Sequence, residues 1–150
     1  MGITITKFKT SAAVLTALVV LSILNISHAQ ENSIWSGVYT DEQATRGKAA
    51  YGANCASCHS VDLRGNSNTP SLLGMSFMFI WENQTLGDLY TKMRDEMPSD
   101  RPASLSSQTY EDLLAFLLSS NQFPSGDQEL VSDLSILSKL NIVPNPAKAQ

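Results

Sequence analysis

Apolar positions recur with helical spacing in three stretches of the chain, and no run of β-branched residues offers a strand. The first helix is expected to begin after Thr40, an N-cap whose capping box is completed by Gln43, with Asp41 and Glu42 suiting the positive helix start. Its inward stripe is Ala44, Gly47, Lys48 (by its stem), Tyr51 and Cys55. Gly47 in mid-helix costs about 1 kcal/mol relative to alanine, which a close crossing by another helix would explain. The second helix starts at Thr85, with Asp88 as capping partner, and carries Leu86, Leu89, Tyr90 and Met93 inward. It ends near Asp95 and Glu96, because Pro98 pushes Met97 out of helical geometry. The third and strongest helix is capped by Ser106 and runs to about Ser120. Tyr110, Leu113, Leu114, Phe116, Leu117 and Leu118 cover an arc of roughly 200°, leaving Glu111, Asp112, Ala115 and Ser119 on the other side. So wide an arc predicts two neighbours. Asn121 is expected to take the left-handed stop conformation.

The remaining segments lack sustained periodicity. Ser60 to Gln84 contains Gly65, Asn66, Asn68, Pro70 and Gly74 and is predicted to be a loop. It also carries Leu72, Leu73, Met75, Phe77, Phe79, Ile80 and Trp81, too many apolar groups for a solvated loop, so it is expected to wrap something apolar. A lead-in with Trp35 and Tyr39 should lie against the body. The tail from Asp127 offers a short helix over Ser132 to Leu140 and a loose end past Pro144 and Pro146.

The start of the chain has a separate logic. Lys7 and Lys9 precede an apolar run from Ala12 to Ile26, and Ser27-His28-Ala29 has small residues where a signal peptidase reads. The run is shorter than the roughly 20 apolar residues of a membrane span. The expectation is a signal peptide over 1–29, cut after Ala29, and an exported mature chain, Gln30 to Gln150, with no stable membrane insertion and a periplasmic location. Within it, 30–126 would be the functional domain and 127–150 a C-terminal extension. The full chain of 150 residues has 10 Lys and Arg against 14 Asp and Glu, a net charge of -4. Loss of Lys7 and Lys9 takes this to -6. An acidic surface argues against nucleic acid and for docking to a basic or mixed patch on a protein.

The cysteines change the picture most. Only Cys55 and Cys58 exist, and they form Cys55-Ala56-Ser57-Cys58-His59. Cys-x-x-Cys-His is the attachment signature of haem c: two thiols add across the vinyl groups of one porphyrin, and the adjacent imidazole reaches the iron. A disulfide over so short a gap would be strained and redox-active. Structural zinc would need about four ligands, and no second cluster is present. Once the leader with His28 is removed, His59 is the sole histidine. A second axial ligand would then be a methionine, a lysine, an amine, water or nothing. Met75, Met78, Met93 and Met97 are the methionine candidates. Met93 continues a packing stripe, Met75 and Met78 are placed to line a pocket, and Met97, in a loop before Pro98, can project across a haem from the far face.

The order of helix, Cys-x-x-Cys-His, wrapping loop, helix, Met-Pro and final helix resembles the small monohaem cytochromes c with His/Met ligation, over about residues 35–125. The resemblance implies an all-α fold, three to four helices around one covalent haem c, with His59 and Met97 on the iron. It implies that Gly47 and Tyr51 cross Phe116, and that the carbonyl of Pro70 orients the imidazole. Trp81 would donate to a haem propionate or pack beside the haem. Arg64, Arg94 and Arg101 would pair with propionates or be solvated charges. Trp35-Ser-Gly-Val-Tyr-Thr, Met97-Pro, Ser104-Leu-Ser and the run from Phe116 to Gly126 are similar to cytochrome c domains that accompany quinoprotein dehydrogenases using pyrroloquinoline quinone. Such a domain takes electrons from the reduced quinone and passes them to a cytochrome or terminal oxidase. Gln122 departs from that pattern, which has glycine after the asparagine. The expected function is electron transfer without catalysis. The rivals are a subunit held permanently in a complex and a haem enzyme or gas sensor with an open iron.

Overall fold

The computed structural model describes residues 33–148, so the expected signal peptide over 1–29 lies outside the described residues. The described chain is helical: α1 (Asp41–Asn54), α2 (Ala56–His59), α3 (Gly74–Trp81), α4 (Leu86–Glu96), α5 (Ser107–Ser120) and α6 (Leu134–Leu137), with 3-10 turns at Ile34–Ser36 and Pro146–Lys148. Among the described residues there is no strand, only isolated bridges at Asn66–Thr69 and Thr85–Asn141. The all-α expectation holds.

α1 and α5 form the central pair. Gly47 lies where their backbones cross: a Cβ there would stand 1.8 Å from the Asp112 carbonyl oxygen and 2.8 Å from Phe116 Cβ. One turn on, the Tyr51 and Phe116 rings pack at 5.3 Å between centroids. Thr40 caps α1 by accepting from the Gln43 N–H at 3.2 Å. The rest of the expected box does not form, and the inward stripe differs. Lys48 is exposed, and Gln43 is wholly buried. Its amide donates to the Leu130 carbonyl and accepts from the Leu130 N–H, both at 2.8 Å. A side chain that satisfies both backbone groups of one distant residue cannot also fold back to Thr40. At α4 the capping box between Thr85 and Asp88 is complete.

The far side of α5 is also covered. Besides the apolar arc, Glu111, Asp112 and Ala115 are buried. Arg46 of α1 forms a fork with Asp112 at 3.0 and 2.9 Å and reaches Glu129 at 2.8 Å. Glu111 accepts from the Ser132 N–H at 2.7 Å. The covering element is the C-terminal segment, which buries Leu130, Leu137, Leu140 and Ile142. It is tied to the turn before α4: Leu86 N–H to Leu140 O at 2.9 Å, Asn83 N–H to Ile142 O and Ile142 N–H to Gln84 O, both at 2.8 Å. The lead-in joins it, as Trp35 Nε1 donates to Val143 O at 3.0 Å. Tyr39 is buried and donates to Phe123 O at 2.6 Å.

α5 ends differently from expectation. Asn121 has φ -94° and Gln122 carries the left-handed turn at φ 66°. Gln122 N–H donates to Ser119 O and Phe123 N–H to Leu118 O, the paired bonds of a Schellman motif. Asn121 instead spends its side chain across the molecule, donating to Leu72 O at 2.9 Å and accepting from Gly74 N–H at 2.8 Å. It thereby anchors the start of α3, a helix inside the segment predicted to be loop. α3 is apolar on every side, so its sequence shows no helical period. Its inner face, with Phe77 and Trp81, is buried, whereas Met75 and Phe79 are 89% and 91% exposed.

Candidate haem site

The site begins where α1 stops. Cys55 ends the helix by donating its N–H to Tyr51 O at 2.9 Å, then turns at φ -126°. α2 is one helical turn, with Cys58 N–H and His59 N–H both bonded to Cys55 O at 3.1 and 2.9 Å. That turn brings Cys55, Cys58 and His59 onto one cavity of about 620 Å³, within the 300 to 1,000 Å³ or so of cofactor sites. The two sulfurs are not joined in a disulfide. Burial, only partly countered by Arg101, pushes the Cys55 thiol up to about 11.

The imidazole is oriented from behind. His59 Nδ1 lies 3.1 Å from the Pro70 carbonyl oxygen. A carbonyl only accepts, so Nδ1 carries the proton and Nε2 keeps its lone pair for a metal. The loop that delivers Pro70 is closed by Gly65 N–H to His59 O at 2.9 Å and Leu72 N–H to Leu63 O at 2.8 Å. Asn66 Nδ2 also holds the Cys58 carbonyl at 2.9 Å. Tyr51, buried on α1, donates to Ser60 O at 2.7 Å, and burial pushes its phenol up to about 12.

The other walls come from α3, α4, α5 and the loop after α4. Phe77, Ile80 and Trp81 line the cavity from α3, and Leu113 and Leu117 from α5. Met97 lines it from the C-cap of α4, where its backbone is extended at φ -127° and ψ 145°. Met93 also fronts the cavity, where only core packing was expected of it. Met75 and Met78 do not: they line a separate surface groove with Trp35 and Phe123. The expectation for them fails because α3 turns them to its outer side. Arg101 lines the cavity, paired with Asp100 at 2.8 Å and Asn54 Oδ1 at 3.0 Å. Arg64 and Arg94 are not in its lining; they pair with Asp62 at 3.5 Å and Asp95 at 2.6 Å.

Two thiols one turn apart, an imidazole with its free nitrogen available, a thioether on another wall and an apolar interior together fit a covalently attached haem. Sequence reasoning did not find the bond from Tyr110 to the Met97 carbonyl or the Arg101–Asn54 contact in this site. Tyr110 shares the apolar arc of α5 with core residues, and Asn54 and Arg101 are 47 positions apart.

A family model described as cytochrome c oxidase, cbb3-type, subunit III matches residues 42–117, just over half of the 150 residues. No curated protein matches the chain. Among solved structures, a chain of the sulfane dehydrogenase SoxCD from Paracoccus pantotrophus aligns at 22% sequence identity and a TM-score of 0.49. That alignment covers 71% of this chain and 59% of the other, so this chain spans less than two thirds of that structure's length.

Proposed function

The chain belongs to the family described as cytochrome c oxidase, cbb3-type, subunit III, whose cytochrome c domains bind covalent haem c and transfer electrons, and from that premise we propose a periplasmic monohaem electron carrier with His59 and Met97 as axial ligands. The observation that carries it is one cavity lined by Cys55, Cys58, His59 and Met97, with Pro70 behind the imidazole. Haem c supplies one-electron redox chemistry at its iron, and a Met/His pair raises the potential. The chain's own part is to hold and to exclude. Cys55 and Cys58 would anchor the group through thioether bonds. The Pro70 carbonyl fixes the tautomer and angle of His59. Met97, on another wall of the same cavity, would supply the second ligand and leave the metal without an open position. Phe77, Trp81, Leu113 and Leu117 give the cavity an apolar lining that would keep water from the group, and Trp81 would pack beside it or donate to a propionate.

In this reading residues 1–29 are a removed signal peptide, 30–126 the cytochrome domain and 127–150 an extension. The upstream partner is a quinoprotein dehydrogenase that uses pyrroloquinoline quinone, and the downstream partner a cytochrome or terminal oxidase. A second reading, a cytochrome subunit held permanently in a complex, is favoured by the matched family's description as an oxidase subunit. Co-purification of the untagged protein from its source separates the two.

Met97→Ala tests the ligand pair. Haem should stay attached, the near-infrared thioether-to-iron band of the ferric protein should vanish, and the reduction potential should fall. An unchanged band and potential would put another residue on the iron.

A further inference from the structure

The wall that carries Met97 is tied down from several directions. Within its own loop and to α4, Met97 N–H donates to Met93 O at 3.1 Å, Arg101 N–H to Pro98 O at 2.9 Å and Ala103 N–H to Arg94 O at 3.0 Å. To α1, the exposed Arg101 guanidinium reaches Asn54 at 3.0 Å. The tie to α5 is a side chain in the interior: Tyr110 Oη donates to the Met97 carbonyl oxygen at 2.8 Å. Tyr110 is 2% exposed, lies edge-on to Tyr90 with centroids 6.4 Å apart, and lines the cavity itself.

We propose that Tyr110 is a positioning residue for the Met97 thioether, a role that rests on Met97 being an axial ligand. Its hydroxyl acts through the backbone. Held at its carbonyl by Tyr110 and at its N–H by Met93, Met97 has both peptide planes fixed. The direction of its Cα–Cβ bond into the cavity is then fixed too, and only side-chain rotamers remain to be searched. Without the phenol, the Met97 carbonyl would lose its donor in an apolar wall and turn toward water. The peptide plane would rotate with it, and the thioether would compete less well for the iron. Tyr110 stands on the rigid helix that also crosses α1 at Gly47, so the ligand loop is referenced to the same frame as the anchoring cysteines.

The test uses the ferric holoprotein and cyanide as probe. Tyr110→Phe keeps the ring and its packing and removes one donor. Cyanide should bind about tenfold more tightly, equivalent to about 1.4 kcal/mol, and the thioether-to-iron band should weaken, with haem content unchanged. Tyr90→Phe, a similar change in the neighbouring ring, should leave affinity and band at parental values. A packing role alone would lower the unfolding temperature of Tyr110→Phe while cyanide affinity and band stayed parental, and that result overturns the proposal. If Tyr110→Phe accumulates no haemoprotein, Tyr110→Leu carries the same two readouts. Met97→Ala separates the premises. If that variant keeps the band, the ligand assignment is wrong. If it loses the band while the Tyr110 variant matches the parent, only the positioning role falls.

Discussion

Gln122 holds a left-handed φ of 66° at the end of α5, a conformation that costs a residue with a Cβ about 1 to 2 kcal/mol. Gln122→Gly should therefore stabilise the protein by about 0.5 to 1 kcal/mol, once glycine's greater freedom in the unfolded chain is set against the relief. Denaturant midpoints measure this, and a lower midpoint for the variant would show that the glutamine side chain makes a contact worth more than the strain. The turn position was legible only to within one residue, because Asn121 and Gln122 are both plausible stops and the choice depends on where Asn121 sends its amide. That amide goes to Leu72, 49 positions away. Cys55, Cys58 and His59 were legible for the opposite reason: one helical turn builds their geometry, and the spacing is itself the chemistry. Pro70 was legible only through the family resemblance, and its carbonyl does face His59, 11 positions back. Gln43 was misread because its partner, Leu130, is 87 positions away.

Among the elements, the α1–α5 crossing is the least tolerant. With a Cβ 1.8 Å from the Asp112 carbonyl, Gly47→Ala must force the helices apart. Overpacking of this kind costs about 1 to 3 kcal/mol and sometimes more, and here it would also separate Tyr51 from Phe116 and break the Arg46–Asp112 fork. The expected result is a markedly lower unfolding temperature and reduced haemoprotein yield. A variant as stable as the parent would mean that α1 can slide along α5. Helices announced by a capping side chain were read well, as α1, α4 and α5 begin within a residue of expectation after Thr40, Thr85 and Ser106. α3 was missed because Gly74–Trp81 is only two turns long, apolar at nearly every position, and has Leu73 in place of a capping side chain to announce its start. The burial of Glu111 and Asp112 was missed for another reason. Carboxylates read as solvated until Arg46 and the Ser132 N–H are known to face them.

For the molecule as a whole, the C-terminal segment is structural. Truncation after Gly126 would remove Leu130, Leu137, Leu140 and Ile142, each worth about 1.5 to 3 kcal/mol of burial. It would also strip the partners of Gln43, Glu111 and Trp35. A small domain has only about 5 to 15 kcal/mol in total, so the truncated chain should fail to give a cooperative unfolding transition, measurable by far-ultraviolet circular dichroism on heating. A cooperative transition at the parental temperature would mark the segment as dispensable. The sequence showed this segment's few leucines but not that they complete the core, because their partners on α1, α5 and the turn at 83–86 are distant along the chain.

The two sides of the cavity differ in how far the chain must travel to build them. The side that holds Cys55, Cys58, His59 and Pro70 closes a loop of 11 positions between its histidine and its proline. The Met97 side depends on Tyr110 of α5, 13 positions on, and on an exposed reach from Arg101 back to Asn54 across 47 positions. Short loops cost less entropy to close, and regions held by solvent-exposed hydrogen bonds, such as Arg101 to Asn54, open at lower free energy than buried ones. Partial opening therefore has a direction. The wall that carries Met97 is expected to leave first, while the turn of Cys55, Cys58 and His59 stays closed on Pro70.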